Sequence, residues 1–213
     1  SYHILSPLSK GLFKNAILQS GSAYTESSFM TKNEALENGK KYSQVVGCKD
    51  ESNWIKCLKQ LDAKTATSYH FNLFHLFSTY NFLPVVGEVF YPIKPYEAVK
   101  NGQFNSGINV LAGVTANEGS TFVFKWFDEI DSDPVKFNQN VKEYLNKEFN
   151  TKNLKSEEIR KKVIDFYIED EIEVDMIKNK IGHIFGDYIL TCPTYYMQRD
   201  MTLWSADNKV FMY

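Results

Sequence analysis

Glu118 is the side chain in this sequence best placed to do chemistry. It follows the apolar run Asn109-Val110-Leu111-Ala112-Gly113-Val114, within Thr115-Ala116-Asn117-Glu118-Gly119-Ser120. In open α/β sheets, active groups gather at the carboxyl ends of strands. A carboxylate there can orient a histidine and stabilise its imidazolium form, as the acid of a nucleophilic triad does. The same residue also serves as an ordinary loop glutamate or as the negative charge at a helix N-terminus, and spacing alone does not separate these readings. Nothing else completes a triad. There is no G-x-S-x-G elbow, and Ser20, in Gln19-Ser20-Gly21-Ser22, has a glycine on one side only. His3 and His183 fall in apolar, helical stretches and read as structural, whereas His70 and His75 lie in an aromatic run that could line a pocket. With no metal-ligand spacing and no Gly-rich phosphate loop, neither metal nor cofactor is expected. Cys48 and Cys57, in GCKDESNWIKC, have the wrong spacing for a zinc pair or a redox CxxC. A short disulfide loop and two free thiols both fit, and Cys192 is left over.

The elements that must position these groups follow from periodicity. Ala16-Ile17-Leu18 reads as a buried strand entering a loop, and residues 109–114 as a strand buried on both faces, as in a parallel sheet. Thr31 and Glu34 have capping-box spacing, which predicts a helix to about Val46, stopped by Gly47. Further helices are expected over residues 53–61 and 95–100, short strands over 84–87 and 89–92, and no clear element over 63–80. Residues 134–190 are helical in pattern, with Ile159, Val163 and Phe166 on one face and Ile177, Ile181, Ile184 and Tyr188 on another. The charges among them read as solvated helix faces. A last helix is expected from Pro193 and a strand over residues 210–213. Strands alternating with helices predict α/β architecture, and residues 1–213 fit one domain or part of a larger one.

Composition narrows the function classes. Of 213 residues, 43% are hydrophobic and 15% aromatic, enough for a sizeable core. A net charge of −2 argues against a nucleic-acid surface or a polybasic membrane anchor. No apolar run approaches the roughly 20 residues needed to span a bilayer, and there is no Asn-x-Ser/Thr sequon. The first residue is not Met, and the last residues form a strand that stops abruptly, so further chain is expected on both sides.

Several segments, taken in order, resemble type-B carboxylesterases, the esterase and cholinesterase family. SYHILSPLSKGLFKNAILQSGS is similar to the stretch after that family's G-E-S-A-G-G elbow. FLPVVGEVFYP resembles its "PVVDGEFFP" segment, NVLAGVTANEGSTF its "GVTKDEGSYF" stretch, and GDYILTCP and DNKVFMY two later segments. The resemblance covers essentially the whole chain. It implies an α/β-hydrolase fold, a central mostly parallel sheet with flanking helices, here incomplete at both ends. It also implies a Ser-His-Glu acyl-enzyme mechanism on a small-molecule carboxylic ester. Glu118 matches the triad acid, and Ser20 matches a position whose hydroxyl supports that carboxylate. The nucleophile is expected before Ser1 and the histidine after Tyr213, so these 213 residues alone are not expected to hydrolyse esters. Cys48 and Cys57 match a family disulfide, and Cys192 matches a cysteine bridged to the C-terminal part.

Thr121 stands where cholinesterases usually place an aromatic, and Ser27 where they place a tryptophan, while Phe122 stays aromatic. A choline cation wants an aromatic face, so these departures lean towards a general or detoxifying esterase. Tyr80 and Phe82 could shape an acyl pocket or pack in the core. Asn117 replaces a frequent family Asp and removes a like charge beside Glu118. Two alternatives stand beside this reading: a cholinesterase proper, and a non-catalytic adhesion or binding protein on the same fold. The family and its disulfide imply a secreted protein or one of the endoplasmic reticulum lumen; oligomeric state is not legible.

Overall fold

A computed structural model of the chain describes residues 1–25, 28–68, 82–121, 123, 130, 132–151, 154, 156–168, 176–204 and 208–213. Three strands, β1 (Asn15–Gln19), β2 (Asn109–Gly113) and β3 (Val210–Met212), form a parallel sheet in the order β1-β2-β3. Parallel neighbours need long crossovers, and among the described residues the segments between the strands carry all the α-helices but the first, which precedes β1. These are α1 (Tyr2–Leu5), α2 (Lys32–Val45), α3 (Trp54–Lys59), α4 (Ala63–Ser68), α5 (Pro95–Lys100), α6 (Pro134–Thr151), α7 (Glu157–Tyr167), α8 (Ile177–Gly186) and α9 (Cys192–Trp204). The architecture is therefore α/β, as its alternating pattern predicts.

Successive strand residues point to opposite sides. Leu18, Val110 and Ala112 turn to one side and are buried with Ala98 and Val99 of α5 and Met197 and Met201 of α9. Ile17, Leu111 and Phe211 form a cross-strand row on the other side, 66%, 40% and 58% exposed. The expectation that β2 is buried on both faces is thus corrected, and β1, expected to be buried, exposes Ile17: among the described residues only one face of this sheet is covered. Asn105 ties α1 to the sheet layer, its side-chain amide donating to the His3 and Ser6 carbonyls at 3.0 and 2.9 Å.

A second core joins α6, α7 and α8. Phe137, Val141, Leu145 and Phe149 recur every four residues along α6 and pack with Ile164, Ile168, Ile177, Ile181, Ile184 and Phe185. The expected stripe on α8 holds. That on α7 is rotated: Ile159 and Phe166 are 50% and 79% exposed, and Arg160, Ile164 and Ile168 face inward. Among the described residues, Arg160 is the exception to the solvated charges. Its guanidinium group donates to Asn146 Oδ1 (2.6 Å), Asn150 Oδ1 (3.3 Å) and the Leu154 carbonyl (2.7 Å). A buried cation persists only when its donors are satisfied, and the C-terminal end of α6 (Asn146, Asn150) and Leu154 just beyond it supply the acceptors.

The last helix does not start afresh at Pro193. α8 runs on through a π-turn, Asp187–Thr191, into α9. Proline lacks an amide donor and crowds the preceding turn, and the wider π-turn accommodates it immediately upstream. Around α2 the capping box forms as its spacing predicts: Thr31 Oγ1 accepts from the Glu34 amide, and Glu34 Oε2 accepts from the Thr31 amide. Cys48 and Cys57 are disulfide-bonded and join α2 to α3. Residues 89–92 are not a strand. The loop closes on itself, with the Gly87 amide donating to the Tyr91 carbonyl, and Val85 makes one isolated parallel bridge to Met30.

Candidate functional site

β1 and β2 are parallel neighbours, so the chain leaves both at the same end of the sheet. Ser20 is the first residue beyond β1. Its amide donates to the Gly113 carbonyl at 2.9 Å, extending the ladder by one bond. Its φ is +51°, the one left-handed non-glycine among the described residues. That conformation costs roughly 1 kcal/mol or more for an L-residue, and such outliers persist where surroundings demand them. Here the Ser20 hydroxyl donates to Glu118 Oε1 at 2.5 Å, across 98 residues of sequence.

Glu118 lies on the turn after β2. The Thr115 amide donates to the same Oε1 atom. Thr115-x-x-Glu118 is the spacing of a capping box, in which the fourth residue's carboxylate reaches back to the first residue's amide. The bland reading of this glutamate as a local capping charge and the reading of it as a site residue therefore describe one geometry. Partial burial pushes its pKa up. Hydrogen bonds from the Ser20 hydroxyl, the Thr115 amide and the Thr115 side chain outweigh burial, and hold the carboxyl below its ordinary value. The outcome is a half-buried carboxylate, ionised at neutral pH and aimed from two directions.

Gly119, next along, is buried against the backbone of α8 at Gly182 and Gly186. The Gly-x-x-x-Gly spacing of Gly182 and Gly186 was legible in sequence as one helix face of small residues, but no periodicity says which segment would use it.

The other sequence candidates fall elsewhere. Thr121 is exposed, at the end of the same loop. Phe82 is half exposed and packs edge-on against Tyr42 of α2, with ring centroids 5.2 Å apart. Tyr80, Phe122, Ser27, His70 and His75 lie outside the described residues. His3 is exposed, 2.8 Å from Ser9 Oγ and edge-on to Phe90. His183 faces solvent and has no packed role, because the buried side of α8 is taken by its isoleucines. Cys192 keeps an exposed free thiol.

A cavity of about 770 Å³ is lined by Tyr24, Tyr96, Tyr167, Ile184 and Tyr188 among others, with no contribution from Glu118 or Ser20. Ile184, two residues from each of Gly182 and Gly186, lies on the opposite side of α8 from the glycines that meet Gly119. No group of acidic, histidine or cysteine side chains suited to a metal occurs among the described residues, and no helix there is long and apolar enough to cross a membrane.

Comparison with known proteins gives this arrangement a context. The chain is 30% identical over 215 residues to Acetylcholinesterase-1 of Trittame loki, covering 92% of this chain and 37% of that protein. It is 26% identical to an acetylcholinesterase of Leptinotarsa decemlineata, over 91% of this chain and 32% of that protein. It is 34% identical to an acetylcholinesterase of Danio rerio over a shorter stretch, 57% of this chain and 20% of that protein. The chain thus spans about a third of the length of the first two relatives. The profile of the carboxylesterase family matches residues 1–213 in full, and the chain belongs to that family.

Proposed function

We propose that this chain is the acid-bearing part of a serine carboxylic ester hydrolase with an α/β-hydrolase fold, and that Glu118 is the acid of its Ser-His-Glu triad. The observation that carries this reading is the Glu118 carboxylate, at the shared end of β1 and β2, fixed by Ser20 and Thr115 and kept ionised. An acid so held accepts a hydrogen bond from one imidazole nitrogen, sets the histidine tautomer and stabilises the imidazolium. The serine hydroxyl loses its proton to the other nitrogen as it attacks the ester carbonyl, and backbone amides bind the oxyanion. The alcohol leaves with that proton, and water repeats the sequence to release the acid. Among the described residues Glu118 has no histidine partner. In this reading serine and histidine come from the parent protein outside these 213 residues, and the chain alone does not turn over esters.

The substrate is a small-molecule carboxylic ester. The relatives named above are acetylcholinesterases, while Thr121, an exposed hydroxyl, replaces an aromatic surface that would favour a choline cation. A general esterase is the reading this supports. The Cys48–Cys57 bridge supports an oxidising compartment, secretion or the endoplasmic reticulum lumen. The test is hydrolysis of 4-nitrophenyl acetate and acetylthiocholine by the full-length parent and its Glu118→Gln variant. A fall in kcat of roughly 10³–10⁴ with KM little changed is expected, the scale on which a triad acid acts. An equally active variant removes Glu118 from the triad, and a folded parent inactive on both esters is a binding protein on this fold.

A further inference from the structure

Gly119 has an ordinary negative-side backbone and no torsional need for glycine. Its need is space. A Cβ on Gly119 would stand 1.7 Å from the Gly182 carbonyl oxygen and 2.5 Å from the Gly186 amide nitrogen, both backbone atoms of α8. No rotamer relieves a clash with main chain. The contact is backbone against backbone, and the missing side chains of Gly119 and Gly186 make it possible. Seen from α8, a Cβ on Gly186 would lie 2.8 Å from the Gly119 amide nitrogen and 3.4 Å from Glu118 Cβ. One on Gly182 would meet only ordinary contacts, 3.6 Å from the Ser120 amide nitrogen and from Val123 Cγ2.

We propose that Gly186 is a positioning residue for Glu118: together with the backbone carbonyl of residue 182 it forms a seat on α8 into which Gly119 is pressed, and the depth of that seat sets where the carboxylate stands relative to Ser20. The inference rests on the reading of Glu118 as triad acid and adds the second support that reading lacks. Ser20 holds the carboxylate from the sheet side, and the seat holds its backbone from the helix side. α8 is a firm wall for this purpose. Ile177, Ile181, Ile184 and Phe185 are 0–1% exposed, and the helix continues through the π-turn into α9, whose Met197 and Met201 pack beneath the sheet. Sheet and helix are therefore one framework, and the Glu118–Gly119 step is held between its two parts.

The seat predicts a graded series. In the full-length parent, Gly186→Ala forces the loop back by several tenths of an ångström, which misdirects the acid. Small misplacements remote from the reacting atoms cost up to about a hundredfold. The expected result is a kcat, normalised to titrated active sites, about 10- to 100-fold lower, with KM within about twofold. Gly182→Ala, with open clearance, retains kcat within about threefold. The independent readout is the NMR titration of the ¹³C-labelled Glu118 carboxyl. Gly186→Ala weakens the bonds from Ser20 and Thr115 and moves that titration up towards the ordinary carboxylate value, whereas Gly182→Ala leaves it in place. A folded Gly186→Ala protein with an unmoved Glu118 titration and unchanged kcat per site overturns the proposal, as does loss of activity only in proportion to unfolded protein. If Gly186→Ala yields no folded protein, Gly182→Val, whose methyls reach Ser120 and Val123, must give the same signature, and an unmoved titration in it overturns the seat. The two readings fail separately. An active Glu118→Gln parent sinks the triad reading, while the carboxyl titration still decides whether the seat exists.

Discussion

Replacing Ser20 separates the two things this residue does. Its hydroxyl gives the Glu118 carboxylate a hydrogen bond of 2.5 Å, and its backbone is held at φ +51°. A hydrogen bond to a charged group contributes roughly 1.5–3 kcal/mol net, and the half-exposed setting puts this one at the low end, about 1.5 kcal/mol. The left-handed conformation costs about 1 kcal/mol in any residue with a Cβ. Ser20→Ala loses the bond and keeps the strain, for a destabilisation of about 1.5 kcal/mol. Ser20→Gly loses the same bond but sheds the strain, leaving about 0.5 kcal/mol. The assay is urea unfolding of both variants at neutral and acid pH. Because the folded pKa of Glu118 lies below its ordinary value, the stability it contributes is full above the ordinary value and is lost as pH falls through the folded one. In Ser20→Ala the folded value lies closer to the ordinary one, so that loss is smaller and complete at a higher pH, and the gap from wild type narrows once Glu118 is protonated in both. Equal destabilisation by Ala and Gly, or a gap that does not narrow in acid, refutes this account of why Ser20 is left-handed.

Two further predictions concern the framework. Removing the Cys48–Cys57 bridge, which closes a loop of about ten residues, is expected to cost roughly 2.7 kcal/mol in denaturant unfolding on the chain-entropy model; thiol titration of denatured, unreduced protein should give one equivalent, from Cys192, and three equivalents contradict the bridge. Arg160→Leu strips the donor from Asn146, Asn150 and the Leu154 carbonyl and should destabilise by about 2–3 kcal/mol, against about 0.5 kcal/mol for its exposed neighbour Lys161→Leu; equal effects of the two would show that the guanidinium bonds contribute nothing.

Much of this molecule is local and was legible in the residues themselves. The Thr31–Glu34 box starts α2 because both partners lie within one turn. The Ile177, Ile181, Ile184 stripe is buried because a helix face repeats at that spacing. Glu118 ends up at a strand's carboxyl end because an apolar run followed by a polar, glycine-containing turn has few other ways to fold. Where the sequence reading failed, two local patterns competed. On α7, Ile159 and Phe166 make as good a stripe as Ile164 and Ile168. The choice fell to Arg160, whose guanidinium had acceptors waiting on α6, a fact of packing that periodicity does not contain. On β2, an all-apolar run reads as buried twice over, yet burial depends on what covers each face.

The site divides along the same line. Residue types and the strand-to-turn pattern determined that Glu118 is a carboxylate at the end of a parallel strand, and the ordered resemblance determined the family. Only the tertiary structure decided how that carboxylate is held: by a hydroxyl 98 residues away, on a backbone no local rule would assign to serine, and by a seat on a distant helix. Each of these contacts joins segments far apart in the chain. Their geometry follows from the packing of sheet against helix, and a sequence pattern records which atoms can meet only after that packing brings them together.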